Sequence, residues 1–386
     1  MRHLSVDIET KSSVDIGKAG LYRYAQSPDF GVLLFAYQID NMPVEMVRPS
    51  PAPPNPCMRQ EALNSISIHV PSRGTTIVDL AAGETIPERI VNMLKDPKII
   101  KHAYNAAFEW YCLNRAGYTT PLEQWKCTMM HGLYCGYTAG LDATGKAIGL
   151  PQDKQKLTTG KALIRYFCVP CKPTKSNGGR TWNLPKHAPE KWELFKTYCK
   201  QDVVTEHEIL KRLNLFPVPE EEEKLWQMDI RMNAFGVRVD TNIIDGALYV
   251  DDISSEKLTS EAMEITKLDN PNSTAQLLAW LQEKQGVDIT NLQKATVEET
   301  LNREDIPEDA RRVLEIRQQL GKTSIKKYVA MDTAKGEGDR VRGLTQFYGA
   351  NRTGRWAGRL VQMQNLPRNY LKTLDYARDL VKKKNY

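Results

Sequence analysis

The sequence predicts an α/β domain with a mixed central sheet flanked by helices, followed by a mostly α-helical domain. Three observations lead there. Strand-length apolar runs alternate with helix-period segments over the first 215 or so residues. The stretch "FPVPEEEE", Phe216 to Glu223, then punctuates the chain with prolines and a run of glutamates. Beyond it, nearly every segment carries helical spacing.

The elements follow in order. "HLSVDIE" and "GVLLFAYQID" are β-branched or aromatic and of strand length. "SPAPPNP", Ser50 to Pro56, breaks regular structure and reads as a surface loop. "TTIVDL" and "KIIKHAY" read as short strands, and "IPERIVNMLKD" between them as a helix. Asn105 is placed to cap the helix "AAFEWYCLNRAG". "KSNGGRT" reads as a loop, and Pro189 opens the long helix "PEKWELFKTYCKQDVVTEHEILKRL". Past the junction come "EEKLWQMDIRMNAFG", "TNIIDGALYVDDISSEKLTSEAMEITK", "STAQLLAWLQEKQG" and "PEDARRVLEIRQQLGKTSIKKYVAMDTAK", all helical in pattern. The strand-prone "RVRGLTQFYG" precedes the polar run "NRTGRWAGRLVQMQNLPRN". The divisions expected from this pattern are 1–215, 216–340 and 341–386.

Composition bounds the function. The chain has 386 residues, enough for two or three cores, with 41% hydrophobic residues and a mean hydropathy of −0.49. No apolar span reaches membrane length, so a cytoplasmic protein is expected, without a membrane partner. Seven cysteines lack a disulfide rhythm, and the pair Cys168 and Cys171 in "CVPC" has no second pair to complete a zinc site. The net charge of +6 is uneven: from Arg340 to Tyr386 eleven Lys or Arg face two acidic residues, Asp375 and Asp379. That skew points to a polyanion, nucleic acid first, against the alternative of a solvated basic tail.

Three acidic pairs carry the chemistry. If "LSVDIET" is a strand, Leu4, Val6 and Ile8 face a core while Asp7 and Glu9 share the other face about 7 Å apart. Paired carboxylates repel unless a hard cation lies between them. Asn105 and Glu109 lie four apart on a helix, as do Tyr198 and Asp202. Taken singly, each pair is equally an exposed acidic pair, a cap with a solvated glutamate, or a surface Tyr–Asp contact. His102, His131 and His207 read as structural or solvent-facing, because hard cations prefer oxygen.

Together and in this order, the three pairs resemble the motifs of the DnaQ-like 3′–5′ proofreading exonucleases, in their tyrosine variant. That family carries D-x-E, then N-x-x-x-(F/Y)-D, then Y-x-x-x-D; here they are matched by Asp7 and Glu9, Asn105 and Glu109, and Tyr198 and Asp202. Glu109 departs from the usual Asp, and "WKCTMM" carries Cys127 where relatives often run Asp-Thr-Met. The resemblance implies an RNase H-like fold and two Mg²⁺ or Mn²⁺ ions about 4 Å apart. It implies that Asp7, Glu9, Glu109 and Asp202 are the ligands and that Tyr198 orients the attacking water. It places Thr10, Asn105 and Phe108 near the 3′-terminal nucleotide, though each also has a structural reading.

The second half resembles the thumb of a family A DNA polymerase of the phage-encoded branch. "TGRWAGRLVQMQNLP" is similar to the TGR…NLQN-(I/L)-P element at that family's thumb–palm junction. The resemblance makes Arg352, Arg355 and Arg359 phosphate contacts and Gln364 and Asn365 sugar or minor-groove contacts to a template–primer duplex. The family's palm motifs do not follow. Asp375–Tyr376 is a decoy, because Leu371, Leu374, Ala377, Arg378 and Val381 have helical spacing. The leading expectation is therefore a metal-dependent 3′–5′ DNA exonuclease fused to a thumb and the start of a palm. The alternatives are a non-catalytic DNA-binding module, or half of a split polymerase needing a separate palm–fingers chain.

Overall fold

The computed structural model describes residues 2–40, 74–322, 324–350, 353–366 and 368–385. The loop expected at Ser50 to Pro56 and the phosphate contact expected at Arg352 lie outside the described residues. The chain divides into two compact units, Met1–Val237 with Gly336–Gln364, and Arg238–Lys335 with Asn365–Tyr386. Both divisions expected from sequence, at 215 and 340, fall inside the first unit.

The first unit is built on a five-stranded mixed sheet of order β3-β2-β1-β4-β5. Its strands are β1 (Arg2–Lys11), β2 (Gly31–Asp40), β3 (Thr76–Asp79), β4 (Ile99–Ala103) and β5 (Trp125–Cys127). β1 runs antiparallel to β2 and, over Arg2 to Ser5, parallel to β4, so it is the central strand. Both of its faces are covered. Leu4, Val6 and Ile8 pack in one core with Cys112 and Leu113 of α3 (Ala106–Arg115). The other face meets α7 (Pro189–Leu213), whose Trp192, Phe195, Tyr198, Cys199 and Val203 form a second core with Leu34 and Ala36 of β2. The face expected to hold only Asp7 and Glu9 is thus an interior surface.

Why α7 buries there is legible in its spacing: Trp192, Phe195, Cys199 and Val203 recur at three or four residues and form one stripe. Each large side chain removed from water contributes roughly 2–3 kcal/mol, enough for the stripe to carry polar residues along its edge. Asp202, Thr205, Glu206 and His207 are buried with it. The intervening helices α1 (Ile16–Ala25), α2 (Glu88–Lys95), α4 (Thr128–Tyr134), α5 (Leu141–Ala147) and α6 (Gly160–Phe167) surround the sheet. Of these, only α2 was legible in the sequence. The three histidines are all buried: His102 stacks on His3, and His131 Nε2 lies 2.8 Å from the Phe216 carbonyl.

A late segment returns to this unit. β6 (Thr345–Ala350) and β7 (Arg355–Gly358) form an antiparallel hairpin, and the buried carboxylate of Asp229 on α8 (Glu220–Phe235) holds it. Asp229 Oδ1 accepts from Thr345 Oγ1 at 2.6 Å and from Trp356 Nε1 at 2.8 Å. Its Oδ2 accepts from the Phe347 amide at 3.1 Å and from Asn233 Nδ2 at 3.2 Å. Asn233 adds a two-way bond to the Thr345 backbone, at 2.9 and 3.0 Å.

The second unit is helical: α9 (Thr241–Thr266), α10 (Thr274–Ala279), α11 (Lys294–Leu301), α12 (Glu308–Leu320), α13 (Ile325–Ala334) and α14 (Leu374–Lys382). The single helix expected over Pro307 to Lys335 is two, parted at Gly321. Leu277, Trp280, Leu281, Val313 and Leu314 make its core, and Arg312 grips Glu261 of α9 with two bonds of 2.6 and 2.9 Å. α14 confirms the helical spacing around Asp375 and packs on α9 at Gly246, where a Cβ would overlap the Val381 carbonyl. Lys382 pairs with Asp240 at 2.7 Å. No described helix is long and apolar enough to cross a membrane.

Asp229→Ala strips the acceptor from four donors at once. Urea denaturation is expected to show a loss of about 3 kcal/mol or more.

Candidate active site

The carboxylates sit where β1 meets α3 and α7. β1 carries an irregularity between Glu9 and Thr10, where its pairing slips from Leu34 to Val32. The extra residue, Leu33, is on β2. With both faces of β1 covered, Leu4 to Val6 and Ile8 to Thr10 are all buried, and Glu9 lies inside beside Asp7.

Asp7, Glu9 and the thiol of Cys199 bring their ligand atoms within 4.8 Å of one another. Cys199 Sγ lies 3.5 Å from Asp7 Oδ2 and donates to it. Glu109 and Asp202 fall outside that tight group, yet both act on it electrostatically. Burial raises the Asp7 carboxyl well above the usual range, and the Asp202 charge raises it further. Glu9 is raised by burial and then by Asp7 and Asp202, and Glu109 by burial and then by Asp7. Asp202 is raised by burial, against the opposing pull of Lys156.

Two oxygens stand out. Glu109 Oε2 and Asp202 Oδ1 are buried without a hydrogen-bond partner. A carboxylate oxygen only accepts, so an interior one without a donor costs free energy that a cation can recover. The other oxygen of Asp202 pairs with Lys156, whose ammonium also lies 4.6 Å from the Tyr198 ring centroid. The Tyr198 hydroxyl is held in its protonated form by burial and by the charges of Asp202, Glu9 and Asp7.

Four more residues belong to this geometry that the sequence did not single out. Glu206, one turn past Asp202, is buried, accepts from Thr128 Oγ1, and adds its charge to Asp7 and Glu109. Its i+4 spacing from Asp202 was the available signal. Cys199 and Lys156 had none: one reads as core, the other as loop. Gly160, at the start of α6, lies so close to the Tyr198 ring that a Cβ there would overlap it.

The expected nucleotide contacts are more scattered. Thr10 is buried and its hydroxyl pairs with Tyr24 Oη at 2.8 Å. Phe108 packs against the first core, 6.5 Å from the Tyr24 ring. Asn105 occupies the cap position of α3 but makes no side-chain capping bond, so the expected N-cap bond is absent. It lines a cavity of about 590 Å³ together with Asp229, Gln346 and Arg359. Arg359 is fixed by Gln346, with Nε to Oε1 at 2.8 Å. Arg355 is exposed on β7, and Gln364 and Asn365 lie in the short 3₁₀ turn Met363–Asn365.

Two outcomes follow from this packing. A raised carboxyl keeps protons that the unfolded chain has released, so its stability contribution is intact below about pH 4 and lost as pH climbs through the folded value. In EDTA, Glu109→Gln is therefore expected to raise Tm over wild type by more at pH 8 than at pH 5, by calorimetry. Gly160→Ala is expected to cost about 1–3 kcal/mol through overpacking against the ring. A double-mutant cycle with Tyr198→Ala should be strongly non-additive.

No family model matches the chain. It is 47% identical, over 387 aligned residues, to a DNA polymerase of Bacillus phage SP02. That alignment takes in 100% of this chain and 54% of the phage protein, so the chain spans about half the length of the curated relative it matches. Among solved structures, the POL domain of Pol1 from M. smegmatis, in complex with DNA primer-template and dNTP, aligns over 98% of this chain and 54% of that one. The TM-score is 0.48 at 13% identity. By sequence, over its whole length, the chain is similar to a phage DNA polymerase.

Proposed function

We propose that the first unit is a two-metal 3′–5′ exonuclease that hydrolyses the 3′-terminal phosphodiester of DNA, and that the chain is the proofreading and primer-gripping portion of a DNA polymerase. The observation that carries the reading is that Asp7, Glu9, Glu109 and Asp202, from three separate elements, lie near enough to act on one another's charge, while Glu109 and Asp202 each keep a buried oxygen without a hydrogen-bond partner. Like charge is not gathered this way for stability. The similarity to a phage DNA polymerase supports the biological setting.

The residues fit a pair of hard divalent cations, Mg²⁺ or Mn²⁺: the donors are oxygens, with Cys199 as the one soft atom beside them. When bound, such ions supply an activated water and neutralise charge on phosphorus. The rest falls to side chains. Asp7, Glu9, Glu109 and Asp202 would hold the ions and fix their spacing. Tyr198, kept as a phenol by its surroundings, can hold a water by hydrogen bond but cannot take its proton. Arg355 and Arg359, with Gln364 and Asn365, are the groups offered to a duplex, as the phosphate and groove contacts such a grip requires.

Single-stranded DNA labelled at its 5′ end is the direct test. With Mg²⁺ or Mn²⁺ the chain is expected to give a ladder shortening from the 3′ end, and Asp7→Ala to slow it by at least about a hundredfold. No ladder from the wild type leaves the non-catalytic DNA-binding reading. Nucleotide incorporation only on adding a separate palm–fingers chain would mark a split polymerase.

A further inference from the structure

We propose that Lys156 is a working member of the carboxylate site: its ammonium opposes entry of divalent cations and faces a phosphate oxygen of the bound strand. The second half of this rests on the nuclease reading; the first does not.

The position is built. Lys156 follows the 3₁₀ turn Gln152–Lys154 in the loop ahead of α6. Gln201 of α7 donates from Nε2 to the carbonyls of Asp153 and Gln155, at 3.0 and 3.1 Å. Gln155 Nε2 in turn donates to the Leu150 carbonyl at 2.8 Å. The backbone just before Lys156 is therefore tied to the helix residue next to Asp202. From there the side chain reaches Asp202 Oδ2 and passes over the Tyr198 ring. Among the described residues it is the one cation in an ion pair with Asp7, Glu9, Glu109 or Asp202.

Charge arithmetic argues against a purely structural role. One ammonium against four carboxylates leaves a large negative surplus, so neutralising the site is beyond it. Its side chain is 27% exposed while that of Asp202 is 7% exposed, so part of the lysine stays open to solvent. The four-carbon stem lets the ammonium exchange Asp202 for a phosphate oxygen with the loop in place, and lysine binds phosphate as a mobile point charge. The same charge repels any cation entering between Asp7 and Glu9, whose carboxyls already feel it.

The test uses the full chain with Lys156→Met and Lys156→Arg. Mn²⁺ binding is measured without DNA by electron paramagnetic resonance, and hydrolysis of the 5′-labelled strand at saturating Mn²⁺. Lys156→Met is expected to bind Mn²⁺ about tenfold more tightly, as removal of one charge several ångströms away predicts. Hydrolysis at saturation should fall by at least about tenfold. Lys156→Arg should keep wild-type Mn²⁺ affinity and recover part of the rate, which separates loss of charge from misfolding. Unchanged Mn²⁺ affinity in Lys156→Met, or hydrolysis within about twofold of wild type, overturns the proposal. A wild type that binds Mn²⁺ but cuts nothing overturns the nuclease reading alone.

Discussion

Mutual repulsion among buried carboxylates is the constraint around which the first unit is organised. Asp7 and Glu9 come from the central strand, Glu109 from α3, and Asp202 and Glu206 from α7. Burial and neighbouring charge work in the same direction on Asp7, Glu9 and Glu109, raising each carboxyl. Such a set persists only where the surrounding packing over-determines it. Here the strand that carries two of the five pairs with β2 along its length and with β4 over Arg2 to Ser5, and apolar cores lie on both of its faces.

That arrangement explains otherwise unrelated features. Gly160 lacks a Cβ because the Tyr198 ring fills the space. Gln201 spends its amide on two loop carbonyls, which brings a lysine to the acidic set.

Asp229 plays a comparable part elsewhere in the same unit, with the opposite chemistry. Its carboxylate receives four donors, so burial is compensated in full. The contrast is instructive: a satisfied buried carboxylate fastens structure, while carboxylates with unpartnered oxygens mark a place for something else to bind.

The sequence by itself determined the α/β character, the central strand, the long helix and three acidic pairs, because periodicity and i,i+4 spacing are local properties. It also showed helical spacing around Asp375, where a helix over Leu374–Lys382 forms. Contacts between distant segments were beyond it. Nothing local says that Lys156 points at Asp202, that Cys199 faces Asp7, or that a hairpin at 345–358 returns to a carboxylate at 229. Helix α1 was missed for a different reason: it is interrupted at Gly20, whose φ of 79° and ψ of 166° lie outside the helical region. Only the tertiary structure turned three ordinary pairs into one crowded site, because burial and approach, not residue identity, make carboxylates act on each other.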